Sequence, residues 1–136
     1  MRHQSCANCG APGAVVFKGE TFPVSHKGAS AEVRGLSGRR CSSCAEIEFD
    51  RRSAKRYAAA GDKLVLQARA AQRSEIRRIR RKLGLSQAMA AELTGGGHTA
   101  VSRYERGEAA PLPAVVNLFR LLDRHPDLLK ELTGSR

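Results

Sequence analysis

LGLSQAMAAELTGGGHTAVSRYERG, residues 83–107, decides the fold of the C-terminal half of the chain. Ser86 is a good N-cap for one short helix, and Gly107 is placed to end a second helix that follows the three glycines. The side chains that recur at helical spacing on the inner faces of these helices are Met89, Ala90, Leu93, Val101 and Tyr104. The stretch therefore predicts two short helices joined by a glycine turn.

More helices are predicted on either side of this pair. Upstream, Ser74 is a candidate N-cap for a helix that ends at Gly84. Downstream, Pro113 and Pro126 each occupy a position where proline opens a helix. Five helices in residues 74–136, the second and third joined by a glycine-bearing turn, match an all-α domain with a helix-turn-helix unit.

The three glycines at 95–97 raise the alternative of a nucleotide-binding loop. A P-loop needs GxxxxGK[S/T] after a strand, and neither the Lys nor the strand is present here. A Rossmann turn needs GxGxxG directly after a strand, whereas the helical pattern MAAEL precedes these glycines. Nucleotide binding is therefore disfavoured, and Gly97 is interpreted as the N-cap of the following helix.

The segments LGLSQAMAAEL and TAVSRYERG resemble the phage-repressor, or XRE, class of DNA-binding domains. On this hypothesis Arg103 binds guanine O6 and N7 together in the major groove, with a simple phosphate contact as the alternative. Glu105 is expected to pair within the domain, because DNA phosphates would repel it. The candidate DNA-contacting residues are Arg103, Thr99, His98, Ser102, Gln87 and Gly97.

All four cysteines lie near the N-terminus, in two CxxC pairs with 31 residues between them: Cys6 and Cys9, then Cys41 and Cys44. Two such pairs are typical of one structural zinc ion held by four thiolates, with no position open for a substrate water. Disulfides are rare in a reducing cytosol, and a thioredoxin-type site uses one CxxC beside a βαβ unit. Iron, as in rubredoxin-like sites, stays open as an alternative metal.

Short strands are predicted around the cysteines, at residues 14–17, 21–24, 31–36 and 46–49. Their expected breaks are Gly19, Pro23, Gly28, Gly35 and Gly38. Because this part has few apolar side chains, it is expected to depend on its metal to fold.

Asp50 is a good N-cap for a helix after the last strand, and the Ala/Arg/Gln stretch 69–73 lacks a clear apolar face. The predicted fold class is therefore two small domains. Residues 1–68 form a β-rich α+β zinc domain with a following helix, 69–73 form a linker, and 74–136 form the helix-turn-helix domain.

The formal net charge of the 136-residue chain is +11, and it is concentrated in one segment. Residues 51–82, which we call the basic block, contain twelve Arg or Lys against two acids, a net charge of +10. Such a block indicates a polyanionic partner, with a solvated helix face as the alternative. With no long apolar run and no secretion signal, we expect a soluble cytoplasmic protein, associated with the nucleoid when bound to DNA.

The order of these features is similar to that of the MqsA, or YgiT-type, antitoxin family. The most specific shared features are the triple glycine, SRYERG and LLDRHPDLL, residues 121–129. The resemblance implies a zinc domain, held by the four cysteines, that binds an MqsR-type ribonuclease toxin. It also implies a C-terminal domain that forms a homodimer and represses its own operon at a palindromic operator in double-stranded DNA.

The resemblance also implies base reading by Arg103 and by the residue at position 99. The best known member of the family has Asn where this chain has Thr99. Asn binds adenine N6 and N7 together and Thr does not, so a different operator sequence is expected.

Other functional classes were weighed against this interpretation. The main alternative is a free-standing XRE-type transcriptional regulator whose zinc domain binds another protein or senses metal or redox state. An enzyme is not expected, because four cysteines in two pairs leave no spare thiolate nucleophile. An RNA-binding zinc ribbon is a further alternative, although two Tyr, four Phe and no Trp provide few platforms for base stacking.

Overall fold

The computed structural model describes residues 5–134, which form a three-stranded antiparallel sheet followed by five helices. The strands are β1 (Ala14–His26), β2 (Ala29–Cys41) and β3 (Ile47–Phe49). The helices are α1 (Arg51–Lys82), α2 (Gln87–Thr94), α3 (Ala100–Arg106), α4 (Pro113–Arg124) and α5 (Leu129–Thr133), with a 3-10 turn at Pro126–Leu128. The predicted order, a β-rich part followed by helices, is confirmed.

Two compact units divide the chain between Leu66 and Gln67, and we call them the N-terminal unit and the helical unit. None of the helices described between residues 5 and 134 combines the length and apolar character needed to cross a lipid bilayer.

The N-terminal unit is built on one long hairpin. Strands β1 and β2 are each 13 residues long and are joined by Lys27 and Gly28, which both have positive φ angles. This is the geometry of the tight two-residue turns that match the twist of paired strands. The prediction of four short strands is wrong, because Gly19 and Gly35, both at positive φ, lie inside continuous strands. The pairing register shifts between Phe17 and Glu20, where Gly19 allows a bulge.

One face of the hairpin carries the core of this unit. Its buried apolar cluster consists of Val24, Val33, Leu36 and Leu64. An aromatic group adjoins it, in which Phe49 lies edge-on to Phe22 at 5.0 Å and next to Tyr57 at 5.1 Å. At Gly38 a Cβ atom would collide with the backbone of Glu48, so glycine is needed there for β3 to pair with β2.

Helix α1 begins where the sequence predicts and continues further. Asp50 caps it, with its carboxylate accepting a 2.7 Å hydrogen bond from the backbone N–H of Ser53. The expectation that a new helix begins at Ser74 is wrong, since residues 69–73 and Ser74 are helical. Ala, Arg and Gln are good helix formers, and Gly61 costs only about 1 kcal/mol relative to Ala, so nothing in this stretch interrupts the helix. A functional boundary at 69–73 stays a prediction.

The helical unit packs around a second apolar cluster. Its buried members are Ile76, Ile79, Leu85, Ala90, Ala91, Val101, Val115, Val116 and Phe119. Leu93 and Tyr104 pack against it, as predicted, but Met89 is 51% exposed. The two small side chains of Ala90 and Ala91 form the buried face of α2, and the longer Met89 points to solvent.

Candidate metal centre and nucleic-acid interface

The hairpin brings the two CxxC pairs together. Cys6 and Cys9 precede β1, and Cys41 ends β2 and is followed by Cys44. The antiparallel register pairs Ala14 with Cys41, so both pairs lie at the open end of the hairpin. A sequence separation of 31 residues between the pairs is thereby reduced to contact distance.

Each CxxC pair is shaped by the same turn. The N–H of Gly10 donates to the carbonyl of Cys6 at 2.8 Å, and the N–H of Ala45 donates to the carbonyl of Cys41 at 3.0 Å. Gly10 has a φ of 74° and Ala45 a φ of 61°. Ala45 is a non-glycine residue in the left-handed region, which is uncommon and costs free energy. Its strained conformation is a feature of the site that the sequence analysis missed.

The four sulfur atoms form a compact cluster, all within 4.8 Å of one another. Two of the sulfur pairs, Cys6 with Cys44 and Cys9 with Cys41, are 3.7 Å apart. A tetrahedral zinc ion with Zn–S bonds of about 2.3 Å requires sulfur separations of about 3.8 Å, whereas a disulfide requires about 2.05 Å. The four predicted cysteines are therefore placed to bind one metal ion and are not placed as disulfides.

The electrostatics of the cluster also favour a cation. Hydrogen bonds from the backbone N–H groups of Cys44 and Ser43 lower the pKa of Cys41 to about 6. The N–H of Ala11 lowers the pKa of Cys9, but the neighbouring cysteine sulfurs and burial outweigh it and raise that pKa to about 12. Four thiolates so close together repel one another, and a bound dication would replace the protons that hold them as neighbours.

In the helical unit, a buried carboxylate connects three helices. The Glu105 side chain, on α3, has no solvent exposure and accepts a 2.6 Å hydrogen bond from Nε of Arg80, on α1. Gln87, the first residue of α2, donates its amide to the same carboxylate, and Arg77 Nε is 3.8 Å from it. Burial opposes ionisation, but the hydrogen bonds from Arg80 and Gln87 lower the pKa of Glu105 overall. The expected pairing of Glu105 within the domain is confirmed.

The three glycines of the turn have different roles. Gly95 ends α2 with a φ of 74°, and a Cβ atom at Gly96 would lie 2.8 Å from the Cβ of Ala100. Gly97 has no positive φ, and a Cβ there would meet nothing within 4 Å. The interpretation of Gly97 as the helix N-cap is wrong. Its carbonyl accepts from the N–H of Ala100 in a preceding turn, and Thr99 occupies the cap position of α3.

Helix α3 presents one face to solvent and buries the other. His98, Thr99 and Arg103 are exposed, and Ser102 is partly exposed with its hydroxyl donating to the carbonyl of Thr99. The structure brings these four candidate residues together on one surface. Gln87 differs from them, because its amide is already engaged by buried Glu105.

The C-terminal end of α3 contains a residue that the sequence analysis did not single out. Gly107 has a φ of 78°, and the N–H of Glu108 donates to the carbonyl of Arg103 at 3.0 Å. The Glu108 carboxylate accepts two hydrogen bonds from Arg106, at 2.8 and 3.0 Å, and lies 4.0 Å from Nε of Arg103. An acid immediately after the helix-ending glycine of YERGE was the available signal.

Part of the basic block is neutralised within the helical unit. Arg80 pairs with Glu105, while Arg78 and Lys82 both pair with Asp123 of α4 at 2.9 Å. The guanidinium of Arg78 and the ammonium of Lys82 hold the pKa of Asp123 well below its usual range. The net charge of +10 predicted for a polyanionic partner is therefore used in part to attach α1 to α3 and α4.

Two sequence comparisons match the chain over most of its length. A profile of the family described as the antitoxin component of bacterial toxin–antitoxin systems, MqsA, matches residues 4–133. Antitoxin MqsA of Escherichia coli strain K12 is 34% identical over 126 residues, which cover 88% of this chain and 93% of that protein. The family match includes both the cysteine cluster and the α2–α3 pair.

Proposed function

Because the chain belongs to the MqsA family of toxin–antitoxin antitoxins, we propose that it neutralises an MqsR-type ribonuclease toxin and represses its own operon. In this proposal the N-terminal unit binds the toxin and the helical unit binds operator DNA as a homodimer in the cytoplasm. Both activities are binding events, and the chain is not an enzyme. The observation that supports the proposal most directly is the exposed α3 surface of His98, Thr99 and Arg103 beside a buried Glu105 anchor.

For the metal we propose one structural zinc ion per chain, held by the four cysteines. The sulfur separations of 3.7 Å support a tetrahedral site, and four thiolate ligands leave no open position for catalysis. Elemental analysis of the purified protein should give one zinc per chain and a colourless solution. One iron per chain with a red thiolate charge-transfer colour would instead identify the rubredoxin-like alternative.

For DNA we propose that α2 and α3 act as a helix-turn-helix unit, with α3 in the major groove and Arg103 reading guanine. In a dimer, two copies of α3 would reach half-sites about one helical turn apart. Thr99 would contact a thymine methyl group or a base edge, while His98 and Ser102 would lie beside it. Gln87 would sit against the phosphate backbone.

The test compares Arg103→Ala with Arg124→Ala, which removes an equal charge from an exposed position on α4. Binding is measured to the duplex upstream of the gene itself and to a shuffled duplex of equal composition. Arg103→Ala should weaken binding to the upstream duplex by about 10-fold or more and leave the shuffled duplex nearly unaffected. Equal losses on both duplexes would reduce Arg103 to a phosphate contact.

For the toxin we propose docking on the N-terminal unit, with the outer strand β1 as the contact element. Val15 and Val16 on this strand are 61% and 64% exposed, and an outer strand can pair with a partner strand. A small ribonuclease encoded next to this gene should copurify with the chain when the two are co-expressed. Val16→Lys should reduce the recovery, whereas Met89→Lys, an exposed position in the helical unit, should not.

The second candidate function is a free-standing regulator that senses metal or redox state. The observation in its favour is the exposure of Cys9 and Cys44, which makes half of the metal site reachable from solvent. This alternative predicts that a chelator changes operator affinity and that no toxin copurifies. An unchanged operator affinity after chelation supports the antitoxin.

A further inference from the structure

Three charged side chains form a connected chain at the C-terminal end of α3. Arg106 holds the Glu108 carboxylate through two hydrogen bonds, from Nε to Oε1 at 2.8 Å and from Nη2 to Oε2 at 3.0 Å. The second carboxylate oxygen, Oε2, also faces Nε of Arg103 at 4.0 Å. All three side chains are about half exposed, so this chain lies on the same solvent-facing side of α3 as the candidate base-reading residue.

The backbone fixes the position of Glu108 relative to Arg103. Gly107 adopts the left-handed conformation, which lets the N–H of Glu108 donate to the Arg103 carbonyl and the N–H of Gly107 donate to the Tyr104 carbonyl. These two bonds are the Schellman arrangement that commonly ends helices. The guanidinium of Arg73 packs against Gly107 so closely that a Cβ atom there would collide with it. Glu108 is therefore held one helical turn beyond Arg103 by backbone geometry.

We propose that Glu108 is a specificity-determining residue that positions Arg103 for base reading. It would attract the Nε side of the Arg103 guanidinium and leave the two terminal amino groups directed outward, toward guanine O6 and N7. The proposal rests on the assignment of Arg103 as the base-reading residue in the proposed function. Arg106 would act by anchoring the carboxylate.

The physical reason is competition between a base and the phosphates for one flexible cation. An unrestrained Arg has many rotamers and is attracted to every phosphate along the backbone. A carboxylate beside Nε removes part of that rotamer freedom and repels the phosphates, so the guanidinium is kept for a base edge. An exposed ion pair adds little to fold stability, so this carboxylate acts on binding and leaves folding largely unaffected.

The experiment measures a specificity ratio, the affinity of the full-length chain for the duplex upstream of its gene divided by its affinity for a shuffled duplex. Glu108→Gln should lower this ratio by about five-fold, a fraction of the roughly 5- to 100-fold that a bidentate Arg–guanine pair supplies. Glu108→Asp keeps the charge but shortens the side chain, and it should lower the ratio as well. The charge-matched control Asp127→Asn, exposed in the turn after α4, should leave the ratio unchanged.

A double variant tests whether Glu108 acts through Arg103. In the Arg103→Ala background, Glu108→Gln should have no further effect on the ratio. Single replacement of guanines by 7-deazaguanine, which lacks N7, gives a second readout. One guanine in each half-site should be sensitive in the wild type, less sensitive in Glu108→Gln and insensitive in Arg103→Ala.

Two outcomes would overturn the proposal, and they differ from failure of the proposed function. If Glu108→Gln strengthens binding to both duplexes by the same factor and Glu108→Asp behaves like the wild type, Glu108 is only a repulsive surface charge. If the effect of Glu108→Gln persists without Arg103, it acts by another route. If Arg103→Ala itself leaves the ratio unchanged, the base-reading assignment in the proposed function fails first.

Discussion

At the scale of single residues, Glu105 has the most demanding environment in the helical unit. Its side chain is fully buried, and a buried carboxylate is tolerated only when it is paired and hydrogen-bonded. Arg80 is only 11% exposed, donates to Glu105 and also donates to the Leu85 carbonyl at 2.9 Å. One ion pair thereby joins α1, the segment before α2, and α3, so the base-reading surface depends on two residues that do not belong to it.

We expect Glu105→Gln to lower the free energy of unfolding of the helical unit by about 3–5 kcal/mol, because Arg80 would remain buried without a counterion. Urea unfolding followed by far-UV circular dichroism measures the change. The control is Glu75→Gln, which removes the partner of half-exposed Arg120 and should cost less than about 1 kcal/mol. Similar losses in the two variants would contradict the special role of Glu105.

At the scale of elements, the glycine turn separates the geometry of the α2–α3 pair from its contact with DNA. Gly95 provides a left-handed helix end, and Gly96 provides room for Ala100 at the start of α3. Gly97 meets neither requirement, since it has no positive φ and open space surrounds it. Two glycines are therefore explained by the fold, and the third is available for a partner that approaches the backbone.

We predict different consequences for alanine at these positions. Gly95→Ala should lower the free energy of unfolding by about 1–2 kcal/mol, because a Cβ atom in the left-handed region is strained. Gly97→Ala should stay within about 0.5 kcal/mol of the wild type, as surface substitutions usually do. If Gly97 lies against DNA, the same variant should weaken binding to the upstream duplex. Urea midpoints and duplex titrations of both variants measure these effects, and the reverse order of stability would refute the assignment.

The attachment of α4 to α1 should depend on pH. Asp123 has a pKa lowered by hydrogen bonds from Arg78 and Lys82, and Glu75 has a pKa lowered by a hydrogen bond from Arg120. Because both pKa values are lower in the folded chain than in the unfolded chain, the unfolded chain binds more protons in acid. This stabilisation is complete above the ordinary carboxyl pKa values and is lost as the pH falls through the depressed ones.

We therefore expect the urea midpoint of the helical unit to be constant from about pH 7 to about pH 5 and to decline below about pH 4. Asp123→Asn should lower the midpoint at neutral pH and flatten the decline. The exposed Asp127→Asn should keep the wild-type profile. A midpoint that rises on acidification would show that these ion pairs do not stabilise the fold.

At the scale of the whole molecule, patterns that are local in sequence were predicted correctly. Ser86 caps α2 with a 3.1 Å bond from the Met89 N–H, Asp50 caps α1, and the CxxC pairs meet as a cluster. Each depends on residue types at fixed short spacing, and short spacing determines which backbone groups and sulfurs can meet.

Features that depend on distant partners were not predictable in the same way. Arg80 and Glu105 are 25 residues apart, and no local pattern indicates that their side chains meet in the core. The continuity of α1 through Ser74 follows from the absence of a strong breaker, and a candidate cap in the sequence suggested the opposite. Gly19 and Gly35 resemble strand ends, yet a long antiparallel partner keeps the strands continuous as bulges.

The dependence of the molecule on its metal should be confined to the N-terminal unit. The apolar cluster there has only four buried residues, and the cysteines join its two chain segments at the open end of the hairpin. We expect Cys41→Ser to lose the metal and unfold the first 50 residues, while the helical unit keeps its affinity for the upstream duplex. The control Ser43→Ala changes a side chain of the same turn and keeps the backbone N–H that contacts Cys41 Sγ.

Tyrosine fluorescence can follow the two units separately, because the chain has two Tyr and no Trp. In a Tyr104→Phe background, Tyr57 is the remaining tyrosine, and it lies in the aromatic group of the N-terminal unit. Cys41→Ser should give Tyr57 the emission of an unfolded chain, and Ser43→Ala should not. A native Tyr57 signal without metal would mean that the apolar cluster suffices for folding. Loss of DNA binding together with the metal would mean that the zinc site also supports the DNA surface.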